Sequence, residues 1–379
     1  MEPKVRFKGF SGEWNVYTIG DIAPVMGGYA FQSEQFSNSG IAIVRISNIL
    51  DTGIIGGDFV KYDIFTGDTS FRLYSGDILI AMSGATTGKV AIVKTDKFLY
   101  QNQRVGKFSR TDKINYSFLA SIVGSNKFRL ELNKRLTSSA QPNASSRDID
   151  SIQQYLPNDI IEQGTIASFF SSIDSTIISS AKKLASLKKL KSASLVAMFP
   201  QQGETTPKVR FKGFEGEWKR HTLYDVLKIN SGKDYKHLES GNIPVYGTGG
   251  YMLSVNDSLS NLDAIGIGRK GTIDKPQYLK APFWTVDTLF FLTKKNNDNL
   301  FFLYNLVQNI NWKKYDESTG VPSLSKNNME RVEIHMPNLA EQQAIATFFR
   351  SLDRKIALET ARLEKLKQIK RACLDKMFV

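Results

Sequence analysis

Two stretches of the chain place apolar residues at alternating spacings of three and four, the pattern of an amphipathic helix with a heptad-like seam. Each stretch has one polar interruption, at Ser180 in the first and at Glu359 in the second. The pattern predicts two long helices that pack on one another through this seam. The seam positions are Ile166, Phe170, Ile173, Ile177, Leu184 and Leu187 in the first stretch, and Ile345, Phe349, Leu352, Ile356, Leu363 and Leu366 in the second.

Both helices share a start signal. Asp159 and Asn338 stand in equivalent places and are suited to cap the first helical turn. Each is followed three residues later by a glutamate, Glu162 or Glu341. This spacing predicts a capping box, in which the glutamate would accept a hydrogen bond from the backbone of the capping residue.

The helices lie in segments that occur twice. Residues 162–199 return as 341–378, and residues 3–14 return as 207–218, where only Ser11 and Glu215 differ. About 40 residues of helix would span roughly 60 Å. A second helix that packs on the first must run back antiparallel, so we expect a pseudo-two-fold arrangement. The repeated Trp14 and Trp218 are predicted core anchors.

The inserts between the repeats are not visibly alike, and both carry short apolar runs between glycine-rich turns, which predicts strands. The fold class is therefore α+β: two mixed α/β domains, at 1–155 and 201–337, joined by two long antiparallel helices at 156–200 and 338–379. Strands are predicted at 41–47, 77–82, 90–93, 243–250, 264–268 and 288–292, and short helices at 116–136 and 298–311.

The charge balance points to a polyanionic partner. The formal net charge is +13 at pH 7, and the sequence pI is about 9.5. Nucleic acid is the first candidate and an acidic membrane surface the second. No apolar run is long enough to cross a membrane, and the single cysteine, Cys373, fits a reducing compartment. We expect a cytoplasmic protein.

Two glycine-rich segments resemble nucleotide-binding motifs and fail the tests for them. Residues 266–271 match G-x-G-x-x-G, but Pro276 follows where a helix must open. Residues 84–89 resemble a P-loop with one residue too few, and Val90 replaces the required Ser or Thr. Both are flexible turns that display basic residues, which can approach a phosphate backbone or enter a groove.

These turns and their neighbours supply the candidate DNA contacts. An Asn-Gln-Arg run offers amide and guanidinium groups suited to adenine and guanine edges. The alternatives stay open: ordinary surface turns, hydrogen-bond networks at strand ends, and aromatic residues of the core. The candidates are Arg45, Thr86, Lys89, Asn102, Gln103, Arg104, Lys233, Tyr246, Arg269 and Lys270.

Arrangements typical of catalysis are missing from the sequence. The histidines, His221, His237 and His335, have no metal-ligand spacing, so we expect no metal site. The chain also carries no Asn/Asp-Pro-Pro-aromatic run of the methyltransferase type. A basic chain of two lobes without such motifs favours binding over chemistry.

The chain resembles the specificity subunit of type I restriction–modification systems. The resemblance rests on the opening Lys-Val-Arg-Phe-Lys-Gly-Phe-x-Gly-Glu-Trp and on the helix starts at Leu156–Asp174 and Met336–Asp353. The segments Asp77–Lys89, Arg269–Thr272 and Phe283–Thr288 resemble the family's target-recognition domains.

The resemblance implies a DNA-binding subunit without catalytic activity of its own. Each insert would read one half of a split, asymmetric double-stranded DNA target. The helices would set the spacer and dock two modification (methyltransferase) subunits that use S-adenosylmethionine. Restriction (translocase/nuclease) subunits would supply the ATP- and Mg-dependent steps. The alternative from another class is a coiled-coil adaptor whose lobes bind acidic proteins.

Overall fold

The structure, a computed structural model, describes residues 1–64, 69–136, 142–201 and 203–378. The chain packs as two compact units. Unit 1 comprises Met1–Ser180 and Arg362–Val379, and unit 2 comprises Ala181–Ala361. Each unit thus includes part of both long helices, whereas the sequence-based boundaries at 156 and 338 separate the helices from the inserts. Those boundaries remain a prediction.

The first half of the chain contains ten strands and five α-helices within its described residues. The strands are β1 (Asn15–Thr18), β2 (Val25–Gly27), β3 (Ile41–Val44), β4 (Lys61–Tyr62), β5 (Arg72–Leu73), β6 (Ile78–Ala81), β7 (Val90–Ile92), β8 (Leu99–Gln101), β9 (Val105–Phe108) and β10 (Gln153–Leu156). The helices are α1 (Ile19–Ile22), α2 (Tyr116–Val123), α3 (Asn126–Arg135), α4 (Ser146–Asp150) and α5 (Ile160–Ala197).

The second half repeats this plan with fewer elements. Its strands are β11 (Lys219–Thr222), β12 (Leu227–Ser231), β13 (Ser240–Gly247), β14 (Gly250–Val255), β15 (Ala264–Gly268), β16 (Gln277–Leu279), β17 (Trp284–Thr285), β18 (Leu289–Lys294) and β19 (Glu333–Met336). Its helices are α6 (Leu223–Val226), α7 (Leu300–Gln308), α8 (Lys326–Glu330) and α9 (Leu339–Met377).

The two inserts have similar sheet topologies although their sequences are not visibly alike, and the second sheet has four strands in unit 1 and three in unit 2. One sheet has the order β2-β9-β6-β7 in unit 1 and β12-β18-β15-β16 in unit 2. A second sheet holds a parallel pair, β3 with β8 in unit 1 and β13 with β17 in unit 2. A strand occurs at each predicted place; the strand at 264–268 has the predicted bounds, and the other five have shifted ends.

Two predicted elements differ from the sequence interpretation. The single helix predicted at 116–136 is two helices, because Ser125 caps a new start by accepting a hydrogen bond from the Phe128 N–H at 3.1 Å. The strand predicted at 41–47 ends at Val44, because Asn48 folds back and accepts a hydrogen bond from the Arg45 N–H at 3.0 Å. Both corrections come from short polar side chains that bind nearby backbone.

The long helices run antiparallel within each unit. In unit 2, Lys183 pairs with Glu359 at 2.9 Å and Lys191 pairs with Asp353 at 2.6 Å. Residue numbers therefore increase along α5 in the direction in which they decrease along α9. In unit 1, Asp174 pairs with Lys370 at 2.5 Å. The predicted seam positions are all buried or half-buried.

The predicted helix caps are confirmed, and the predicted capping boxes are wrong. Asp159 accepts a hydrogen bond from the Ile161 N–H, and Asn338 accepts one from the Glu341 N–H. The glutamates have other partners. Both oxygens of Glu162 accept hydrogen bonds from Arg6 at 2.7 Å, and Glu341 accepts them from Arg210 at 2.6 and 2.7 Å.

The opening repeat therefore joins the start of one long helix to the end of the other in each unit. In unit 1, Arg6 binds the start of α5, and the Val5 N–H donates to the Lys376 carbonyl of α9 at 3.1 Å. In unit 2, Arg210 binds the start of α9, and the Val209 N–H donates to the carbonyl at the end of α5 at 2.9 Å. Because both carboxylates are buried, each needs a cation as its partner.

Aromatic rings complete both junctions. Phe378 lies with Phe170 at 5.9 Å and with Trp14 at 6.3 Å between ring centroids. In unit 2, Phe199 takes the same place beside Phe349 and Trp218. Both tryptophans are 2% exposed, which confirms them as core anchors.

Candidate nucleic-acid interface

In unit 1 the turn between β8 and β9 lies beside the end of β3. The Asn102 N–H donates to the Val44 carbonyl at 3.1 Å, which places Arg45 next to the Asn102–Arg104 turn. The Tyr29 N–H donates to the Gln101 carbonyl, and the Gln103 N–H donates back to the Tyr29 carbonyl, both at 2.9 Å. Three chain segments thus meet at one sheet edge.

A second loop, between β6 and β7, joins this edge. The Met82 N–H donates to the Arg104 carbonyl at 3.0 Å, and the Gly84 N–H donates to the Pro142 carbonyl at 3.0 Å. This pairing brings Asn143 into the group, where its Oδ1 accepts a hydrogen bond from Arg104 Nη1 at 3.4 Å. We call the group formed by Tyr29, Arg45, 83–86, 102–104 and Asn143 loop surface 1.

Loop surface 1 contains most of the candidates predicted in this insert. Gln103 and Arg104 are exposed, and Asn102 and Arg45 are half-buried. Thr86 is half-buried, and its hydroxyl donates to the Ser83 carbonyl at 3.4 Å. Lys89 has a different environment, because its ammonium pairs with Asp51 at 2.8 Å.

Unit 2 assembles its candidates in the same way. The Lys233 N–H donates to the Thr285 carbonyl at 2.9 Å, and the Val286 N–H donates to the Tyr246 carbonyl at 3.1 Å. The Arg269 N–H donates to the Thr288 carbonyl at 2.8 Å. We call the group formed by Lys233, Tyr246, 269–271, Thr288 and Ser323 loop surface 2.

Electrostatically, loop surface 2 is basic. Lys233, Arg269 and Lys270 are exposed, and Tyr246 is half-buried. The Arg269 guanidinium lies over the Phe290 ring at 5.8 Å from its centroid, a distance at which the ring quadrupole attracts a cation. Cations held on a glycine-rich turn are suited to contact phosphates and base edges.

The two loop surfaces share several backbone hydrogen bonds. Gly84 donates to the Pro142 carbonyl in unit 1, and Gly271 donates to the Pro322 carbonyl in unit 2. Ser83 bridges to Asn143 in the first and Lys270 to Ser323 in the second. These bonds define equivalent positions that carry different side chains: Tyr29 and Lys233, Val44 and Tyr246, Met82 and Arg269, Ser83 and Lys270, Arg104 and Thr288, Asn143 and Ser323.

Two glycines permit this shared backbone frame. A Cβ on Gly28 would lie 2.2 Å from the Gln101 carbonyl oxygen, and a Cβ on Gly232 would lie 2.0 Å from the Val286 carbonyl oxygen. Since real Cβ atoms do not approach backbone oxygens so closely, only glycine lets the segments before Tyr29 and Lys233 pass the neighbouring strand end.

The sequence interpretation missed Asn143, Ser323 and Thr288. A signal for the first two exists. Pro142 and Pro322 both open a Pro-x-x-Ser pattern whose serine caps the next short helix, and each pattern stands the same distance before the helix-start motif. Thr288 has no such signal, because its place at the loop surface depends on strand pairing far along the chain.

Other classes of site find no support in the part of the chain that the structure describes. No group of His, Cys, Asp and Glu there is arranged to hold a metal ion. None of the helices described is both long and apolar enough to cross a bilayer.

Comparisons with known proteins agree with this geometry. A curated relative, the specificity subunit of the type I restriction enzyme MjaVIII of Methanocaldococcus jannaschii, is 28% identical over 187 residues. The match covers 47% of this chain and 44% of the relative, so the chain spans less than half the length of that protein.

Two solved structures share the fold. The S subunit of a type I restriction–modification system from M. genitalium superposes with a TM-score of 0.73 at 19% identity, over 100% of this chain and 99% of its own. A chain from a structural study of complex assembly and conformational transition of the type I system has a TM-score of 0.55 at 16% identity, over 98% and 99%.

The family model described as the type I restriction modification DNA specificity domain matches residues 11–189 and again residues 215–368. The two matches account for most of the chain and contain both loop surfaces. The chain therefore belongs to the family of type I restriction–modification DNA specificity domains, of which it carries two copies.

Proposed function

We propose that this chain is the DNA-specificity subunit of a type I restriction–modification complex. Each unit reads one half of a bipartite, asymmetric target in double-stranded DNA. The observation that carries the proposal is the pair of loop surfaces, which share a backbone frame and differ in side chains at four equivalent positions: Tyr29 and Lys233, Ser83 and Lys270, Arg104 and Thr288, Asn143 and Ser323. Different side chains on one frame read different bases, because base edges are recognised by specific donors and acceptors.

The charge of the chain supports the choice of DNA as the ligand. The net charge of +13 favours a polyanion, and exposed cations stand on both loop surfaces. Arg45 Nε is enclosed and has no hydrogen-bond acceptor among the described residues.

The repeated helices support a partner of matching symmetry. Because each unit holds equivalent parts of α5 and α9, the chain offers two equivalent places for two modification subunits. In this proposal those subunits supply S-adenosylmethionine-dependent methylation, and restriction subunits supply the ATP- and Mg-dependent steps. The chain itself recognises DNA without catalysing a reaction, and it acts in the cytoplasm.

An exchange of one insert tests the proposal. Residues 219–337 are replaced by the corresponding insert of another family member, and the methylated sites are mapped with the modification subunits present. We expect one half-site to change and the other to persist. Loss of both half-sites, or no change in either, would contradict modular reading.

A binding assay separates DNA recognition from the adaptor alternative, for which the comparisons offer no support. The complex with modification subunits is titrated on duplex DNA at several salt concentrations. We expect sequence-selective binding whose affinity falls steeply with salt as counterions are released. Absence of DNA binding at low salt would favour the adaptor.

In this proposal the length of the two long helices determines the length of the DNA spacer between the half-sites. Inserting one heptad in each long helix at matched seam positions adds about 10 Å of rise. We expect the preferred spacer to lengthen by about three base pairs. An unchanged spacer would refute this role of the helices and leave half-site reading intact.

A further inference from the structure

Arg104 on loop surface 1 is held in a way that differs from an ordinary surface arginine. Its carbonyl accepts a hydrogen bond from the Met82 N–H at 3.0 Å, and its own N–H donates to Asn102 Oδ1 at 3.3 Å. Its side chain is exposed, yet Nη1 donates to Asn143 Oδ1 at 3.4 Å, across 39 residues of sequence. Backbone and guanidinium are therefore both oriented by neighbouring segments.

Among the described residues, this arrangement leaves a planar set of Arg104 donors free. An arginine has five N–H donors in a fixed fork, and the bond to Asn143 uses one of them. Two parallel donors match the O6 and N7 acceptors that guanine alone presents together in the major groove. A phosphate can also accept two arginine donors, but it carries no sequence information, so base preference distinguishes the two contacts.

We propose that Arg104 reads a guanine in the half-site contacted by unit 1 and that Asn143 is its positioning residue. The inference rests on the proposed function and adds a named reader and a named base to it. Arg104 supplies the two donors to the base edge. Asn143 fixes the plane of the guanidinium so that the donors meet the base without a search over rotamers.

The equivalent positions of unit 2 show that the pair belongs to one half-site only. Thr288 stands where Arg104 does, and Ser323 stands where Asn143 does. Neither side chain provides a bidentate fork. Guanine recognition from this position is therefore a property of unit 1, and the other half-site depends on the different side chains of loop surface 2.

The test uses the full chain in complex with its modification subunits, and the probe is a duplex library randomised across the target. Bound DNA is sequenced for the wild type and for Arg104→Lys, Arg104→Gln and Asn143→Ala. The matched control is Arg129→Lys, an exposed arginine of α3 outside the loop surface. Arg104→Lys keeps the charge and removes the fork.

We expect both Arg104 variants to lose about tenfold to hundredfold discrimination at one G·C pair of one half-site. Asn143→Ala weakens the preference at that same pair, and Arg129→Lys changes no base preference. Arg104→Lys retains the salt dependence of the wild type, because the number of charges near the phosphates is unchanged.

The outcomes separate this inference from the proposed function. If the wild type selects two half-sites and Arg104→Lys keeps every base preference, Arg104 is no base reader and the inference is overturned alone. A uniform loss across all positions with Asn143→Ala would overturn the positioning role. If the wild-type complex selects no sequence, the proposed function itself fails.

Discussion

Removing Arg210 should destabilise unit 2 far more than removing the whole ion pair. The Glu341 carboxylate has no exposed side-chain surface, and the Arg210 side chain is 17% exposed. The hydrogen bond to Glu341 raises the pKa of Arg210, so the guanidinium keeps its charge. Substituting Arg210→Met leaves a buried carboxylate without its cation.

The expected cost follows from the geometry. Breaking a buried pair from one side typically costs about 3–5 kcal/mol of unfolding free energy. Glu341 lies in the first turn of α9, where the helix dipole favours a negative charge by up to about 1 kcal/mol. We therefore expect a cost near 3 kcal/mol for Arg210→Met. The double variant Arg210→Met/Glu341→Gln should lie within about 1 kcal/mol of the wild type, because no unpaired charge is left.

Urea unfolding with hydrogen exchange resolved by peptide measures this cost for each unit separately. The matched control is Arg6→Met, which breaks the equivalent pair with Glu162 in unit 1 and should cost a similar amount there. A cost below about 1 kcal/mol for Arg210→Met would refute the reasoning, since it would mean that the carboxylate finds another partner or water. A double variant as unstable as the single one would show that packing of the arginine stem dominates.

The repeats made the two long helices predictable. They did not reveal which side chains form ion pairs with the helix starts. The seam spacing predicted the helices, and Asp159 and Asn338 predicted their starts. The capping role predicted for Glu162 is wrong, because its carboxylate binds Arg6, which is distant in sequence, and not the backbone of the capping residue. Arg6 and Glu162 both lie in repeated segments, so their joint repetition was the available signal.

The shared topology of the inserts was hidden for a physical reason. Backbone hydrogen bonds such as those of Asn102 to Val44 and of Val286 to Tyr246 carry no side-chain signature. Glycine is the exception, since Gly28 and Gly232 are dictated by the close approach of a neighbouring strand end. Candidate contacts that are adjacent in sequence were therefore predictable. Asn143 was not, because strand pairing brings it to Arg104 from a distant part of the sequence.

Five further variants probe the packing, the loop surfaces and a buried tyrosine. Phe378→Ala should cost about 3–5 kcal/mol of unfolding free energy in unit 1, and Phe199→Ala a similar amount in unit 2. The reason is that each ring is 3% exposed or less at a helix junction. Urea unfolding resolved by unit should show each loss of stability in the unit that carries the substitution. Gly28→Ala should weaken recognition of one half-site and Gly232→Ala the other, because a Cβ at either position collides with a carbonyl oxygen; site mapping that shows both half-sites intact would contradict the shared frame. Burial, followed by a nearby carboxylate, raises the pKa of Tyr304 to about 12. The neutral phenol is therefore favoured by folding, so its contribution is fully present below the ordinary pKa of about 10 and is lost as the pH rises through 12. Tyr304→Phe should reduce the loss of unit 2 stability over that range, and tyrosinate absorbance that shows Tyr304 titrating near 10 in the folded chain would exclude this burial effect.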